Sequence, residues 1–396
     1  MVDLLTVDDA LARVLEHAAP LPSEPVSIDD ALGRVLAEPA RALVDLPPFP
    51  SSAMDGFAVR AVDTPGDLPV AFRVAAGAAP PGALPAGSAA GIATGGTVPD
   101  GADAVVPVED VEDRGDTVVV PEAEGGQHVR PRGGDVRAGD VVVEDGIRVT
   151  AVRLGALAAA GVAGVSCARR PRVAILATGS ELRSPGEQLE PGQIYESNRR
   201  MLAAALEGSG ATTEVLPVVA DDVSAHRAGL ERALESDVVV TSGGVSMGPH
   251  DLVRRVAADL GVEEVFWGVA IKPGKPLAFG VRDSTLVFGL PGNPVSSLVG
   301  ALVFVRTALL ALQGARDPLP VYASGRLTSA LRRNPRRDEF VRARSRWTDD
   351  GRLLEPVTGQ ESHMIVRAST ADVLVHVPRG DGEVATGGTV RFLELG

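Results

Sequence analysis

Three runs of apolar residues in the second half of the chain end at glycine and are separated by helical patterns. They are RVAILAT (172–178), DVVVTSGG (237–244) and TLVFGLPGN (285–293). The first run is unbroken, as expected for a strand buried on both faces, and helical spacing recurs over 223–235. Strands that alternate with helices predict a doubly wound parallel sheet with its site above the carboxyl ends of the strands.

The rest of the chain has a different texture. TVDDALARVL from Thr6 and SIDDALGRVL from Ser27 each place an acidic residue three positions after Thr or Ser, which predicts two short capped helices. Segment 46–143 is rich in short strands, glycine and proline, an alanine-rich helix follows from Thr150, and the residues past about Asp317 predict a small barrel. We therefore expect the chain to change character near residues 46, 143, 170 and 317.

Composition limits the class of protein. The chain has 396 residues, of which 45% are hydrophobic and 23% charged, so it is globular and long enough for several domains. A net charge of -14 argues against binding to nucleic acid or anionic membranes. The single Cys167 allows no internal disulfide, and we expect it to be a small buried residue. The first residues lack a leader pattern and no charge-free segment has membrane length, so we expect a cytoplasmic protein.

Only two of the basic residues are lysines, Lys272 and Lys275, in the segment IKPGKPLAFG. A chain that otherwise uses arginine is expected to keep two lysines three residues apart where it needs a compact point charge rather than a planar guanidinium. The alternative is that both are solvated loop charges. The glycine and prolines around them favour an anion-binding loop.

Three loops of the 46–143 region carry candidate polar groups. Asp55 lies in a Met-Asp-Gly turn, and Thr94 precedes two glycines, where a hydroxyl and free N–H groups could hold an oxyanion. The third loop, GGQHVRPRGGDVRAGD, places Asp135 among arginines that could clamp a phosphate. For each loop the competing interpretation is a plain turn or a solvated surface.

Carboxylates follow the predicted parallel strands at the edge where an anion would bind. They are Glu181, Asp221 or Asp222, and Asp251. Mg²⁺ prefers hard oxygen ligands while phosphates need cations and N–H groups, so this cluster predicts a Mg²⁺-assisted phosphate site. Each carboxylate alone could equally be a helix cap. The loop GLPGNPVSSL directs the amino terminus of the next helix at the same edge.

Eight motifs in series resemble those of the molybdopterin molybdenumtransferases, a family similar to the E domain of gephyrin. They are SAMDGFAV, IATGGTVPDGADAVV, VRPRGGDV, LATGSEL, GQIYESN, TSGGVSMGPHD, IKPGKPLAFG and LPGNPVSS. Eight motifs in order are specific where one glycine loop is not. The resemblance implies an elongated dimerisation region (1–45 with 144–169), a β-rich module (46–143), a molybdopterin-binding α/β domain (170–316) and a C-terminal β-barrel-like domain (317–396).

The resemblance also implies a reaction and an assembly. Adenylylated molybdopterin and molybdate would be the substrates and Mg²⁺ the cofactor, and AMP would be released as molybdenum is inserted. The site of a homodimer would lie between the α/β domain of one subunit and the β-rich module of the other. The molybdopterin adenylyltransferase is a candidate partner.

Site residues follow from the resemblance motif by motif. The catalytic positions are Thr94, Asp135, Glu181, Asp222 with Asp221 as its alternative, Asp251, Lys272 and Lys275. Those that would also bind the metal are Glu181, Asp222 and Asp251. The substrate-binding positions are Asp55, Ser180, Asn198, Ser242, Gly243, Gly244, Ser246, Pro276, Gly292, Asn293, Ser296, Arg337 and Ser362.

Two other functions are compatible with this fold. A molybdopterin adenylyltransferase would share the α/β domain, but it would not need the β-rich module, the dimerisation region or the barrel. A noncatalytic scaffold would bind a partner, but it would have no reason to keep the carboxylates and both lysines.

Overall fold

The computed structural model describes residues 4–75, 77–244 and 252–395, which divide into two compact units. The larger unit comprises Met1–Glu24, Gly33–Ala37 and Cys167–Gly396, and the smaller unit comprises Pro25–Leu32 and Glu38–Ser166. Strands β1 (Ser23–Ser27) and β12 (Gly164–Ala168) form a two-stranded sheet, and each spans a boundary between the units. The four-part division expected from the sequence stays a prediction.

The smaller unit is built around a six-stranded sheet with the order β7-β4-β6-β5-β9-β8. Two further pairs, β10 with β3 and β11 with β2, hold its loops. The ranges are β2 Ala40–Arg41, β3 Ser51–Ser52, β4 Gly56–Val59, β5 Gly66–Val74, β6 Ala89–Ile92, β7 Ala104–Pro107, β8 Glu112–Asp113, β9 Thr117–Val120, β10 Val129–Arg130, β11 Val141–Val143 and helix α2 Ala151–Ala159. The alanine-rich helix predicted from Thr150 is confirmed, and the Thr150 hydroxyl caps it.

A doubly wound sheet forms the centre of the larger unit, with the strand order β16-β13-β17-β21-β20-β18. The first four strands are parallel, while β20 and β18 add an antiparallel edge. The strands of this sheet are β13 Arg172–Ala177, β16 Thr212–Val215, β17 Val238–Ser242, β18 Glu263–Trp267, β20 Ala278–Arg282 and β21 Thr285–Leu290. Three short strands of the same segment lie outside it: β14 Leu182–Arg183, β15 Ile194–Tyr195 and β19 Ile271–Lys272. The helices are α1 Val7–His17, α3 Asn198–Glu207, α4 Val223–Ala233, α5 Leu252–Asp259, α6 Pro294–Gly300 and α7 Arg306–Leu312.

Both faces of the central strands are covered, which explains why β13, β17 and β21 are largely apolar. On β17, Val238 and Val240 join the core that packs against α1, α3, α6 and α7, while Val239 joins a second core with α4 and α5. The fold class predicted from the sequence is confirmed.

One described helix, Pro294–Leu312, is long and apolar enough to cross a membrane by length and composition alone. It runs from α6 through a π-helical turn, Ala301–Val305, into α7. Because 83% of the apolar window is buried inside the protein, it has the burial expected of a core helix.

The carboxyl-terminal strands close into a five-stranded barrel, as the sequence predicts. Strands pair in the cycle β24-β25-β22-β28-β26 and back to β24. The elements are β22 Ala323–Leu327, β23 Leu331–Arg332, β24 Asp338–Thr348, β25 Gly351–Pro356, α8 Ile365–Ala368, β26 Val373–Val377, β27 Glu383–Val384 and β28 Thr389–Glu394. Strand β19 pairs in parallel with the start of β24, so the lysine segment is hydrogen-bonded to the barrel.

The sequence predicts two amino-terminal helices, and the prediction of the second is wrong. The first forms as α1, with the Thr6 hydroxyl accepting a hydrogen bond from the Asp9 N–H. The second is only a single 3₁₀ turn, Ile28–Asp30, although the Ser27 hydroxyl does accept from the Asp29 N–H. The chain turns away at Gly33, whose φ of 78° is left-handed and ends helical geometry.

Cys167 is fully buried, as the sequence predicts. Burial raises the pKa of its thiol because the charged thiolate would be desolvated. It therefore serves as a small apolar side chain.

Candidate functional site

A cavity of about 720 Å³ opens at the carboxyl ends of β13, β17 and β21. The strand order reverses between β13 and β17, because the chain moves outward to β16 and then returns to β17 on the other side. In open α/β sheets ligands bind at such a switch point. The cavity is lined by Ala177, Thr178, Gly179, Glu181, Leu182, Ile194, Tyr195, Glu196, Ser197, Asn198, Asp221, Ser242, Gly243, Gly244, Gly292, Asn293, Pro294, His363 and Ile365.

Asn198 ties together three segments of the cavity wall. It is buried at the start of α3, and its amide nitrogen donates to Ser242 Oγ at 2.8 Å and to the carbonyl oxygen of Gly292 at 2.7 Å. A buried amide with both hydrogens bonded is held in one orientation. The structure thus brings these three predicted substrate-binding residues together.

The glycine turn after β17 needs residues without a Cβ atom. Gly243 and Gly244 have φ values of 93° and 66°. A Cβ on Gly244 would collide with Val253 of α5. The turn therefore lets main-chain groups, rather than side chains, form this part of the cavity wall.

The adjacent carboxylates Asp221 and Asp222 have different surroundings. Asp221 lines the cavity, and its Oδ2 accepts hydrogen bonds from Ser180 N at 2.9 Å and Ser180 Oγ at 3.0 Å. Asp222 Oδ1 instead accepts from the Ala225 N–H at 2.8 Å and caps α4. Of the two residues that the sequence left open, the geometry favours Asp221 for the site.

Three carboxylates line the cavity, Glu181, Glu196 and Asp221, and that of Glu196 is already bonded to Arg199. Within residues 4–75, 77–244 and 252–395, no group of three or more His, Cys, Asp or Glu side chains is assembled as a metal site. Mg²⁺ is commonly held by one or two carboxylates together with substrate phosphates, so this donor set fits it. The predictions for Ser246 and Asp251 lie outside the described residues.

The lysine segment contacts the barrel and is not among the cavity-lining residues. Lys272 Nζ lies 3.0 Å from Glu339 Oε1, which also accepts from Asn334 Nδ2 at 3.2 Å. Asn334 Oδ1 in turn accepts from the Arg337 N–H at 3.1 Å. Lys275 is exposed and Pro276 half-buried. Two residues predicted from separate motifs, Lys272 and Arg337, are thus connected through Glu339 and Asn334.

The Ser362 loop lies against the start of α6. The Val295 N–H donates to the carbonyl oxygen of Ser362 at 3.0 Å, and the next residue, His363, lines the cavity. Ser296 is buried, and a Cβ on Gly274 of the lysine segment would lie 3.6 Å from its carbonyl oxygen. The lysine segment, α6 and the Ser362 loop are therefore neighbours.

Arg342, a buried arginine behind this loop, was not predicted from the sequence as a site residue. The Arg342 guanidinium donates to the carbonyl oxygens of Met364 at 3.0 Å, Gly359 at 2.9 Å and Glu361 at 3.2 Å. Burial lowers the pKa of Arg342, and the charge of Glu361 opposes that shift. The only signal in the sequence is an arginine inside the apolar run FVRA.

Glu196, also missed from the sequence, lines the cavity and is buried. Its carboxylate accepts from the Arg199 N–H at 2.8 Å and from Arg199 Nε at 3.1 Å. Arg199 also donates to the carbonyl oxygen of Leu216. The pair is buried and satisfied, so it orders the start of α3.

The predicted residues of the smaller unit lie on its loops. Asp55 Oδ1 accepts from the Thr94 N–H at 2.6 Å, so these two motifs meet. The Asp135 side chain is exposed, and its N–H donates to the Leu46 carbonyl oxygen at 2.9 Å.

Asp45 holds the arginine loop, since it accepts from the Ala138 N–H at 2.9 Å and from Arg132 Nε at 2.6 Å. These hydrogen bonds lower the pKa of Asp45. The carboxylate therefore remains charged and keeps the loop in place.

Comparison with known families agrees with this architecture. Residues 5–161 match the family model described as MoeA N-terminal region (domain I and II). Residues 174–311 match a probable molybdopterin binding domain, and residues 324–395 match the MoeA C-terminal region (domain IV). The fold and the cavity thus define a multidomain α/β protein with a molybdopterin-binding type of domain.

Curated relatives are similar over nearly the whole chain. A molybdopterin molybdenumtransferase 2 from Mycobacterium tuberculosis is 39% identical over 377 residues, which is 89% of this chain and 90% of the relative. A molybdopterin molybdenumtransferase from Haemophilus influenzae is 35% identical over 395 residues, 98% of each chain. The chain belongs to the molybdopterin molybdenumtransferase family, whose members are transferases of molybdenum cofactor biosynthesis.

Solved structures show the same fold over the full length. A crystal structure of a molybdopterin biosynthesis moeA protein from Pyrococcus horikoshii OT3 has a TM-score of 0.86 at 29% identity and covers 99% of this chain and 100% of that one. The multidomain architecture is therefore common to this chain and that protein.

Proposed function

We propose that this protein inserts molybdate into adenylylated molybdopterin with Mg²⁺-dependent release of AMP. The observation that carries the proposal is the cavity at the switch point, where Glu181 and Asp221 lie beside the Gly243–Gly244 turn. Carboxylates that hold Mg²⁺ and main-chain N–H groups that bind phosphate are what cleavage of a pyrophosphate link requires. The names of the curated relatives support the transfer of molybdenum.

In this proposal three groups of predicted residues bind the metal, the molybdopterin and the molybdate. Glu181, Asp221 and Asp251 hold Mg²⁺, which would neutralise phosphate charge. Asn198, Ser242 and the adjoining glycines position the molybdopterin in the cavity. The molybdate site comprises Lys272, Lys275, Pro276, Ser296, Arg337 and Ser362, and the contacts among the lysine segment, α6 and the Ser362 loop support this grouping.

We also propose that the active protein is a cytoplasmic homodimer. In this dimer, Asp55, Thr94 and Asp135 of one subunit would lie at the cavity of the other, as the family resemblance implies. Symmetric dimers commonly build shared sites in this way. The molybdopterin adenylyltransferase, which would supply the substrate, is the proposed partner.

The test is AMP release from purified adenylylated molybdopterin with and without molybdate and Mg²⁺. We expect release to require both. Lys275→Arg should lower the rate on the order of tenfold or more, because a longer planar guanidinium does not replace a point charge in a tight loop. Unchanged thermal unfolding is the control for folding.

Two results would contradict the proposal. AMP release by Lys275→Arg at the wild-type rate would show that the reaction does not need the lysine side chain at position 275. Adenylylation of molybdopterin from ATP, without use of molybdate, would instead identify the preceding step as the activity.

A further inference from the structure

A buried histidine lies on the outer face of the barrel, beside the core that the barrel shares with the central sheet. It is His376 of β26, and its side chain is only 6% exposed. Its register partners on the neighbouring strands are Phe340 of β24 and Arg391 of β28. Phe340 and Leu374 belong to the same core as α1, and His376 shares the face of Leu374 because alternate residues of a strand point the same way. A titratable ring thus lies against a hydrophobic core.

The hydrogen bonds of His376 define its tautomer. Arg391 Nη2 lies 3.1 Å from Nδ1, and a guanidinium only donates, so Nδ1 accepts. The ring proton is therefore on Nε2, which donates to Asp338 Oδ2 at 3.0 Å. The ring also stacks on Phe340, with 5.1 Å between the ring centres. Both nitrogens are bonded and the ring plane is packed, so His376 is held in one orientation.

Asp338 is the residue that His376 holds. Its other carboxylate oxygen, Oδ1, accepts from the Arg379 N–H at 2.8 Å. Burial raises the pKa of Asp338, but the hydrogen bonds from His376 and from the Arg379 N–H outweigh it, and the pKa is lowered overall. The carboxylate therefore stays charged and accepts from both donors.

The lysine segment joins the barrel at the same residue. The Asp338 N–H donates to the carbonyl oxygen of Ala270 at 2.8 Å, and the register partner of Asp338 on β19 is Ile271. The next pair along is Lys272 opposite Glu339, with 3.0 Å between Lys272 Nζ and Glu339 Oε1. A shift of Asp338 would therefore move the backbone that carries Lys272.

We propose that His376 is a positioning residue for the lysine segment, which it holds in place through Asp338. His376 is not among the residues that line the main cavity, so its effect on Lys272 passes through the pairing of β19 with β24. The competing explanation is that the imidazole only fills space beside Phe340 and Tyr322, whose ring centre lies 5.6 Å away. Positioning requires the Nε2–H donor, whereas space filling requires neither nitrogen.

Two amide substitutions separate the roles of the ring nitrogens. A glutamine amide reaches the position of Nε2 and donates to Asp338, while the shorter asparagine amide reaches only that of Nδ1. We therefore expect His376→Gln to preserve the lysine segment and His376→Asn to displace it. His128→Asn is the matched control, because His128 is exposed in the smaller unit and asparagine tolerates its left-handed φ of 54°.

The presence of only two lysines makes the position of the segment directly measurable. A ¹⁵N-lysine-labelled protein has one amide resonance each for Lys272 and Lys275, and each is assigned by its loss in Lys272→Arg or Lys275→Arg. We expect the Lys272 resonance to shift clearly further in His376→Asn than in His376→Gln, and not to shift in His128→Asn. Equal shifts in the two His376 variants, or no shift in either, would overturn the proposal.

Two further measurements test the route through Asp338. In ¹⁵N-histidine spectra of the wild type, His376, whose signals are those missing from His376→Gln, should have a protonated Nε2 and an unprotonated Nδ1. The opposite tautomer would overturn the proposal. Asp338→Ala should also shift the Lys272 resonance, and adding His376→Asn should shift it no further, because both changes act by one route. Additive shifts would contradict that route.

The consequence for the reaction rests on the proposed function and has its own readout. His376→Asn should raise the KM for molybdate about three- to tenfold and leave the kcat of AMP release within about twofold, because the lysine side chains are displaced but not removed. His376→Gln should restore the KM. An unchanged KM in His376→Asn would overturn this consequence. Absence of AMP release from the wild type would instead refute the proposed function, and the lysine spectra would decide on the positioning role without it.

Discussion

Asp221 and Asp222 show how adjacent residues of one type acquire different roles. We expect Asp222→Ala to lower the free energy of unfolding by about 1 kcal/mol, the usual value of an N-cap, and to retain AMP release. Under the proposed function, Asp221→Ala should lower AMP release at least about tenfold, because it would remove one of the proposed ligands for Mg²⁺. Urea denaturation and the AMP assay measure the two effects.

Each variant is the control for the other. A folded Asp222→Ala protein without activity would show that the cap residue also takes part in the reaction. Raising Mg²⁺ should partly restore Asp221→Ala. If added Mg²⁺ has no effect on its rate, Asp221 acts through Ser180 alone.

The sequence could not distinguish these two aspartates. Both follow the same apolar run, and both precede a helix. Which carboxylate caps the helix depends on the backbone angles at residue 222, where φ is -129° and ψ is 153°. The glycines of the cavity were easier to predict, since left-handed turns require glycine in most contexts.

At the scale of elements, Arg342 holds the loop that carries Ser362 and His363. We expect Arg342→Met to lower the free energy of unfolding by about 2–3 kcal/mol, because three backbone carbonyl groups lose a charged donor. Hydrogen exchange should accelerate in residues 359–365 before the rest of the barrel. Thermal unfolding and exchange mass spectrometry measure these changes.

Arg344→Met is the matched control on the same strand. Arg344 is exposed and makes one long hydrogen bond, 3.3 Å from Nε to the carbonyl oxygen of Thr370. Its loss should cost less than about 0.5 kcal/mol. Similar losses from the two variants would mean that the buried guanidinium does not stabilise the loop.

Asp237, just before β17, makes the fold sensitive to acid. Its carboxylate bonds both Nη atoms of Arg169 at 2.7 Å and accepts from the Arg172 N–H at 2.7 Å. Burial raises the pKa of Asp237, but these hydrogen bonds outweigh it, and the pKa is lowered overall. A lowered pKa adds stability above the unfolded value of about 3.9, and this stability is lost as pH falls through the folded pKa.

We therefore expect Asp237→Asn to lower the free energy of unfolding by about 1.5–3 kcal/mol at pH 7. The difference from the wild type should be constant down to about pH 5 and shrink below about pH 4. Urea denaturation across this range measures it. Asp259→Asn, which removes a longer 3.5 Å pair with Arg227, is the control and should show little loss at any pH. A pH-independent difference for Asp237→Asn would contradict the assignment.

Strands and helices with a regular apolar pattern could be predicted from the sequence. Places where the structure departs from such a pattern could not. The unbroken runs of β13 and β17 indicated a sheet buried on both faces. The 3₁₀ turn at 28–30 has the same local pattern as α1, but the left-handed Gly33 stops it. The antiparallel edge of β20 and β18 follows from tertiary pairing, which apolar periodicity does not encode.

At the scale of the whole molecule, the proposed shared site predicts complementation between damaged chains. A dimer of one Asp135→Ala chain and one Lys272→Ala chain should keep about half of the two-site activity, while each mutant homodimer should be nearly inactive. In the mixed dimer one site combines two altered halves and the other combines two intact halves. Co-expression with different tags gives the mixed dimer for the AMP assay.

Failure of the mixed dimer to exceed the homodimers would place the whole site within one subunit. The sequence motifs suggested which residues belong to the site. A motif does not indicate, however, which of the two subunits contributes its residues to a given site. That assignment depends on assembly geometry.

The pairing of β19 with β24 has a consequence for protein engineering. The lysine segment lies before α6 in the chain, yet its strand is hydrogen-bonded to the barrel, with Lys272 opposite Glu339. A chimaera that exchanges only residues 317–396 with a relative would therefore give Lys272 a foreign partner and a foreign register. Exchange experiments aimed at anion selectivity should transfer residues 269–277 together with the barrel, as one inherited module.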